Sequence, residues 1–599
     1  MNYTRKRALL ACDFCRHRKR RCDGKKPCST CQDSKADCVY QELPSDKIEE
    51  SGPGAVIDRL SRIEALLEQQ NLQINQLNFR SSLSPYPASQ SDHAPSDRQG
   101  DLVRLPGEFD TSVEASPFLI PRNHAALVTT LLGLPQVRAV IGDYPRGLFF
   151  QVEEKLPLPG SLGHIHDTPL VFPVLDPNTL DSLAASYFQN AHSHHPLFTP
   201  TTFRQWQTRL LESNDLDNIT TSICLCVYAL GALSAPDNTR KAPESLGLEY
   251  FQPGLKIMLH ESLWGFRPNV MTCQALLLAS SYFAHLGRPL HSIRMGHFAS
   301  RLLLSISQSR HNSLAHAKFD DTEVRVYWQC FMVECDGAAE LDVSRSGVEP
   351  LGDVMPLPQS LESADDENHI YSIAEHAIRR LLNRILSALY NPECTLLRRA
   401  GSPDGILIWQ SLTLPRLLSI SAELNRQLEQ WYSSIPDYLR FPKGTGPLSA
   451  ERSRVLRSRY YMARHLIHRP FLLLTVTQVG EERSPSLSPM LEAGPFRLPA
   501  PLVLEKCGTC IESCVTYLQN AVELLDKRSP YLWTFSQGCL GALVILWLAD
   551  SSVSLTHLVP GVRPLQGLVL EKLGRWAAED SSFDAEIRII RQLHFVERP

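Results

Sequence analysis

Neither sign of charge dominates this chain of 599 residues, in which 60 Lys and Arg stand against 64 Asp and Glu for a net charge of -4. Long apolar runs are also missing. The longest, 539–549, holds eleven residues, whereas a helix crossing a membrane needs roughly 20. A buried helix is therefore expected there, and no membrane partner. The sequence lacks a G-x4-G-K-[ST] phosphate loop, an H-E-x-x-H helix, a G-x-S-x-G elbow and a dinucleotide-binding glycine fingerprint, so an enzyme is not expected. No apolar leader precedes the first cysteines, because Arg5, Lys6 and Arg7 are followed only by Ala8 to Ala11. Without a secretory signal the sixteen cysteines are expected to be reduced, and close cysteine spacing then points to metal rather than disulfides.

What the chain does have is an apolar fraction of 43%, that of a globular protein, and 42 prolines that break helices. Its length exceeds what one hydrophobic core ordinarily serves, so two or more folded units joined by linkers are expected. The charge is unevenly placed. Residues 1–43 carry eleven basic and five acidic side chains, a formal +6, which leaves about -10 on the remainder. A basic end on an acidic body is an electrostatic footprint for nucleic acid.

Within that end, cysteines fall at Cys12, Cys15, Cys22, Cys28, Cys31 and Cys38, two successive C-x2-C-x6-C units. Zinc prefers four ligands in a tetrahedron. Two four-thiolate sites need eight thiolates and six are present, so two must be shared. The duplication nominates the first of each half, Cys12 and Cys28. One zinc would take Cys12, Cys15, Cys22 and Cys28, the other Cys28, Cys31, Cys38 and Cys12. So short a segment cannot bury enough apolar surface to fold alone, and metal binding must supply the folding energy. The halves match in spacing but not in chemistry: Arg16-His17-Arg18-Lys19-Arg20-Arg21 follows Cys15, and Gln32-Asp33-Ser34-Lys35-Ala36-Asp37 follows Cys31. Phosphates would repel the second helix, so the first is expected to approach DNA.

The run from Cys12 to Asp23, the Lys26-Pro27-Cys28 loop and the closing Cys38-Val39-Tyr40 resemble the fungal-type binuclear zinc cluster DNA-binding domain over about thirty residues. That resemblance implies two zinc ions per chain and a helix entering the major groove, where one lysine reads a CGG-type triplet. By position this lysine is Lys19, with Arg18 beside it. A cation suits the guanine O6 and N7 acceptors. Arg16, Arg20, Arg21, Lys25 and Lys26 are expected on phosphates, which position the domain without reading sequence. Arg5-Lys6-Arg7 and the run 18–21 also read as import signals, so a nuclear protein is expected.

After residue 40 an acidic, polar linker (41–55) leads into the apolar positions Val56, Leu60, Ile63, Leu67, Ile74 and Leu77, with Gln70 filling the missing seam position. This is a heptad seam of about three repeats over 56–80, expected to pair two chains as a homodimer, with a single amphipathic helix packed on the body as the alternative. Pairing matters because one cluster reads only a few base pairs, and the linker constrains half-site spacing. Residues 81–115, rich in Ser, Pro, Asp and Gln, read as disordered.

From 116 to 599 helical periods recur between prolines and glycines, with examples at 179–187, 222–233, 271–286 and 455–467, so an all-α regulatory region is expected. Within about 170–480, Leu180 to Phe203 with its His195-Pro196-Leu197-Phe198 core, Val324-Arg325-Val326-Tyr327-Trp328 and His468-Arg469-Pro470-Phe471 resemble the middle homology region of the same regulators. The fold class is thus mainly α: a small two-zinc cluster domain (12–40) behind a basic arm (1–11), a short coiled coil, and a large helical body. The resemblance implies a factor for RNA polymerase II, activating metabolic or biosynthetic genes, specialised metabolism among them, through the transcription machinery and open to a small-molecule effector. The competing class is a zinc-dependent cofactor that reaches DNA only through partners. Three constellations outside the cluster have plainer readings. His192, His194 and His195 are expected to pack or cap, Cys507, Cys510 and Cys514 to be buried structural thiols, and Arg452, Arg454, Arg457, Arg459 and Arg464 to decorate a surface helix with a charged exterior.

Overall fold

In the computed structural model, the described residues are 14, 15, 18, 22, 25, 27–34 and 36–38 near the N-terminus, then 119–596 apart from 159, 166–168, 195, 214, 236–246, 266–268, 312–318, 354, 361–366, 392–413, 449 and 482–499. The expected linker, the coiled-coil seam from Val56 to Leu77 and the segment 81–115 lie outside them. All regular structure among the described residues is helical. The chain divides into two units, 1–55 and 56–599.

Among the described residues of the N-terminal unit, a short helix, α1 (Ser29–Asp33), starts at its N-cap Cys28. The unit's buried apolar residues are Cys15, Cys28 and Cys31 alone among those described.

The second unit is a helical body. Its first part comprises α2 (Val128–Leu132), α3 (Pro135–Ile141), α4 (Leu148–Lys155), α5 (Pro177–Asn190), α6 (Pro200–Glu212), α7 (Ile219–Ser234), α8 (Leu248–Trp264) and α9 (Val270–His285). There follow α10 (Pro289–His311), α11 (Asp321–Leu341), α12 (Glu367–Tyr390), α13 (Leu414–Ser434), α14 (Glu451–Glu481), α15 (Ala500–Leu524), α16 (Leu532–Asp550), α17 (Arg563–Gly574) and α18 (Ser582–Gln592). Helix starts follow capping chemistry. Asp176, Thr199, Asn218, Asn269, Asp320 and Ser581 each accept a backbone N–H of the first turn. At α11 the cap is reciprocal: Asp320 Oδ1 accepts the Glu323 N–H at 2.9 Å, and the Asp320 N–H donates to Glu323 Oε2 at 3.1 Å.

Helix α7 organises the first half, packing against α5, α6, α8 and α9. Gly231 makes the α5 crossing possible, because a Cβ there would sit 2.0 Å from the Leu183 carbonyl oxygen. In the second half α16 is apolar on all sides and lies among α2, α14, α15 and α18. It is long and apolar enough by composition to cross a membrane, yet 94% of its most apolar window is buried inside the protein. It contains 539–549, so the expected buried helix is found. A helix apolar all round is a core helix.

The arginine-rich segment departs from expectation. Helix α14 is no surface helix: Arg457 and Arg459 are 1% exposed, among fully buried Val455, Leu456 and Ile467. Burying Arg459 is possible because Asp336 of α11 and Glu375 of α12 meet its guanidinium at 3.2 Å and 3.8 Å, while Asp336 also binds Arg379 at 2.8 Å. The ion cluster thereby ties α11, α12 and α14 together. Arg452, Arg454 and Arg464 remain partly exposed.

Candidate metal centre and nucleic-acid interface

The cluster is built from backbone turns that bring thiols together. Phe14 and Cys15 are helical, and the Arg18 N–H donates to the Phe14 carbonyl at 3.1 Å, continuing that turn. On the other side the Cys31 N–H donates to Cys28 Sγ at 3.4 Å, and the Cys28 N–H donates to Cys38 Sγ at 3.2 Å. The Ala36 N–H closes α1 on the Cys31 carbonyl at 3.0 Å, which turns the chain back towards Cys38. Backbone amides thus point at two of the sulfurs that the metal needs.

The sulfurs of Cys15, Cys28 and Cys31 all lie within 4.8 Å of one another, and those of Cys15 and Cys28 are 3.6 Å apart. A tetrahedron of sulfurs around zinc at roughly 2.3 Å has an edge of about 3.8 Å. The thiols therefore stand at zinc-site spacing, and the residues present fit the metal. Cys28 reaches across the halves, touching Cys15 of the first while capping the helix that carries Cys31. Cys22 and Cys38 are half-buried at the rim, and none of the described cysteines is in a disulfide.

Of the residues expected on DNA, Arg18 and Lys25 are described and both are exposed. The Arg18 guanidinium lies over the Phe14 ring at 5.6 Å from its centroid, which holds the side chain along the helix that starts at the cluster. Cys12, Arg16, Lys19, Arg20, Arg21 and Lys26 lie outside the described residues. For His192, His194 and the distal cysteines the plainer readings hold. His192 packs among Tyr187, Phe188 and Phe198, and burial pushes its imidazole down to about 3. His194 stands edge-on to Tyr531 and is pushed to about 3 by the same cause, and His195 lies outside the described residues. Cys507, Cys510 and Cys514 are fully buried, and burial pushes the Cys507 thiol up to about 11. A thiol held protonated is a poor ligand, so this second C-x2-C contrasts with the first.

Residues 10–47 match the fungal Zn(2)-Cys(6) binuclear cluster domain, and residues 184–338 match the fungal specific transcription factor domain. The chain thus carries both the zinc cluster domain and the regulatory domain found in fungal-type binuclear zinc cluster transcription factors. A zinc cluster factor of this kind carries two zinc ions on its six cysteines, in a DNA-binding domain followed by a regulatory domain. The chain is similar to the putative transcription factor ecdB of Aspergillus rugulosus, at 25% identity over 89% of this chain and 87% of that protein. It is also similar to the transcriptional activator protein acu-15 of Neurospora crassa, at 23% identity over 86% of this chain and 56% of that protein. A maltose fermentation regulatory protein of Saccharomyces cerevisiae is 59% identical over 32 residues, 5% of this chain and 7% of its own. No solved structure matches. The regulatory match runs from within α5 to within α11, whereas α14, with the His468-Arg469-Pro470-Phe471 phrase, lies beyond it.

What sequence reasoning missed is the ion cluster of Asp336, Glu375, Arg379 and Arg459. Its members are spread over 123 positions, and each alone looks like a solvated charge. Arg459, three and four positions after Leu456 and Val455 and so on their helix face, was the available signal.

Proposed function

We propose that this zinc cluster factor binds DNA directly as a homodimer on CGG-type half-sites in the nucleus and activates transcription by RNA polymerase II. The observation that carries the reading is the sulfur constellation of Cys15, Cys28 and Cys31 at zinc spacing, with the basic run of the first half starting at its edge. In this reading Cys12 and Cys28 are the shared ligands. Lys19, with Arg18 beside it, meets guanine, and Arg16, Arg20, Arg21, Lys25 and Lys26 hold phosphates. The seam from Val56 through Gln70 to Leu77 pairs the chains. The body regulates and catalyses nothing, and the genes served are metabolic or biosynthetic.

Selection of bound duplexes from random-sequence DNA by the zinc-loaded full-length chain tests this directly. Enrichment of paired CGG-type triplets at a fixed spacing is expected. If no sequence is enriched, direct reading is wrong and the chain reaches DNA only through partners. Genome-wide mapping of bound sites then reads the pathway.

A further inference from the structure

In the first half of the cluster, the side chain of Phe14 joins the metal centre to the charged face. It is half-buried and packs against the core of Cys15, Cys28 and Cys31. It also meets Arg18, whose guanidinium carbon lies 5.6 Å from the ring centroid while the arginine itself stays exposed. The backbone sets up this pairing. The Arg18 N–H donates to the Phe14 carbonyl at 3.1 Å, and residues so bonded stand one above the other on a helical face.

The kind of neighbour decides what Arg18 can do. A carboxylate would hold the guanidinium through its N–H fork and cancel the charge that draws the domain to phosphate. A ring attracts the cation through its π face and brings no charge of its own. The full charge and the fork therefore remain for an outside acceptor. A phosphate accepts a guanidinium from many directions, whereas guanine O6 and N7 accept the fork from the plane of the base. An arginine free to turn suits the phosphate. One held in a fixed direction suits the base edge, because less side-chain freedom is lost when it docks.

We propose that Phe14 is a positioning residue for DNA reading: anchored on the cysteine core, its ring presents the Arg18 guanidinium to a base edge and so sets how strictly one base pair of the half-site is read. This rests on the reading that the first half of the cluster meets DNA. It deepens that reading by giving a part in specificity to a side chain that meets neither zinc nor base.

The test is the affinity of the zinc-loaded full-length chain for its selected duplex and for duplexes in which each base pair of the half-site is replaced in turn. Arg18→Ala is expected to lose roughly tenfold or more of the preference at one base pair. Phe14→Leu, which keeps an apolar side chain against the cysteines, is expected to retain both zincs and to lose about two- to fivefold of the preference at that same base pair alone. Phe14→Tyr, which restores a π face, is expected to restore the preference. In a chain that already carries Arg18→Ala, Phe14→Leu is expected to change nothing further, because the two side chains act as one unit. A merely structural Phe14 would instead lower affinity for every duplex alike and do so with or without Arg18.

That result overturns the proposal, as do native base preferences in Arg18→Ala or Phe14→Leu, or a Phe14→Tyr chain that reads no better than Phe14→Leu. If Phe14→Leu sheds its zinc, Phe14→Trp takes its place: the indole binds a cation more strongly, so a sharper preference at the base pair read by Arg18 is expected, and an unchanged one overturns the proposal. If no duplex is selected from random sequence, the DNA-binding reading fails and this inference falls with it. If duplexes are selected but their preferences ignore Arg18 and Phe14, this inference alone fails.

Discussion

The two units solve the same thermodynamic problem with different materials. The cluster buries three cysteines among its described residues and no other apolar side chain. The body buries a continuous core running from Ile120 to Phe595, with α16 at its centre. Each ordered residue costs about 1–2 kcal/mol of backbone entropy. The body offsets this by apolar burial at roughly 25 cal/mol per Å², whereas the cluster has no such surface and depends on metal–thiolate bonds. The difference teaches where each unit is vulnerable: the cluster to loss of a ligand, the body to loss of a packed or paired group.

The sharpest test is Cys28→Ser. It removes the thiol that caps α1 and lies 3.6 Å from Cys15, so zinc content should fall and DNA binding should vanish. The melting transition of the body should not move. Zinc analysis, gel shift and calorimetry on one preparation check all three, and a Cys28→Ser chain that holds two zincs would break the comparison.

The matching insult to the body is Asp336→Ala, which leaves Arg379 and Arg459 buried without their nearest carboxylate. Breaking a buried pair from one side costs about 3–5 kcal/mol. Denaturant titration should show that loss, with zinc content and cluster folding unchanged.

Lys19→Ala should cost about 1–3 kcal/mol of specific DNA binding with zinc retained, measured as the ratio of affinities for a CGG-type site and a scrambled one. An equal loss on both would make Lys19 a phosphate contact instead.

The smallest effect is a pH dependence confined to the body. Burial pushes the Glu586 carboxyl up to about 8, although Ser536 and Gln537 donate to its Oε1 at 3.0 Å and 2.7 Å. Its value is higher folded than unfolded, so the folded chain holds more protons between the ordinary carboxyl range and about 8, and stability falls as pH rises through that window. Glu586→Gln keeps the acceptor and removes the ionisation. Its melting temperature should gain on the native chain as pH rises from about 5 to 8, and parallel curves would contradict this.

Much of the site was legible before any coordinates, because metal ligation imposes spacing within a short segment. The six cysteines, the basic first half and the proline loop all lie within Cys12 to Cys38, and their geometry needs no distant partner. The buried helix at 539–549 was legible for a related reason, since an apolar run of that length has few places to go. Asp176, Thr199 and Asn218 cap their helices through contacts equally local in the chain.

The arginines of α14 were misread, and the cause is instructive. Whether Arg459 faces water or core depends on Asp336 and Glu375, which lie 123 and 84 positions away in the chain and on other helices. The amino-acid order by itself determined the metal centre, the sign of its charged face and the helical class, because these rest on contacts within a few residues. Only the tertiary structure decided which charges are buried and which are matched, because desolvation and ion pairing depend on what the fold brings alongside.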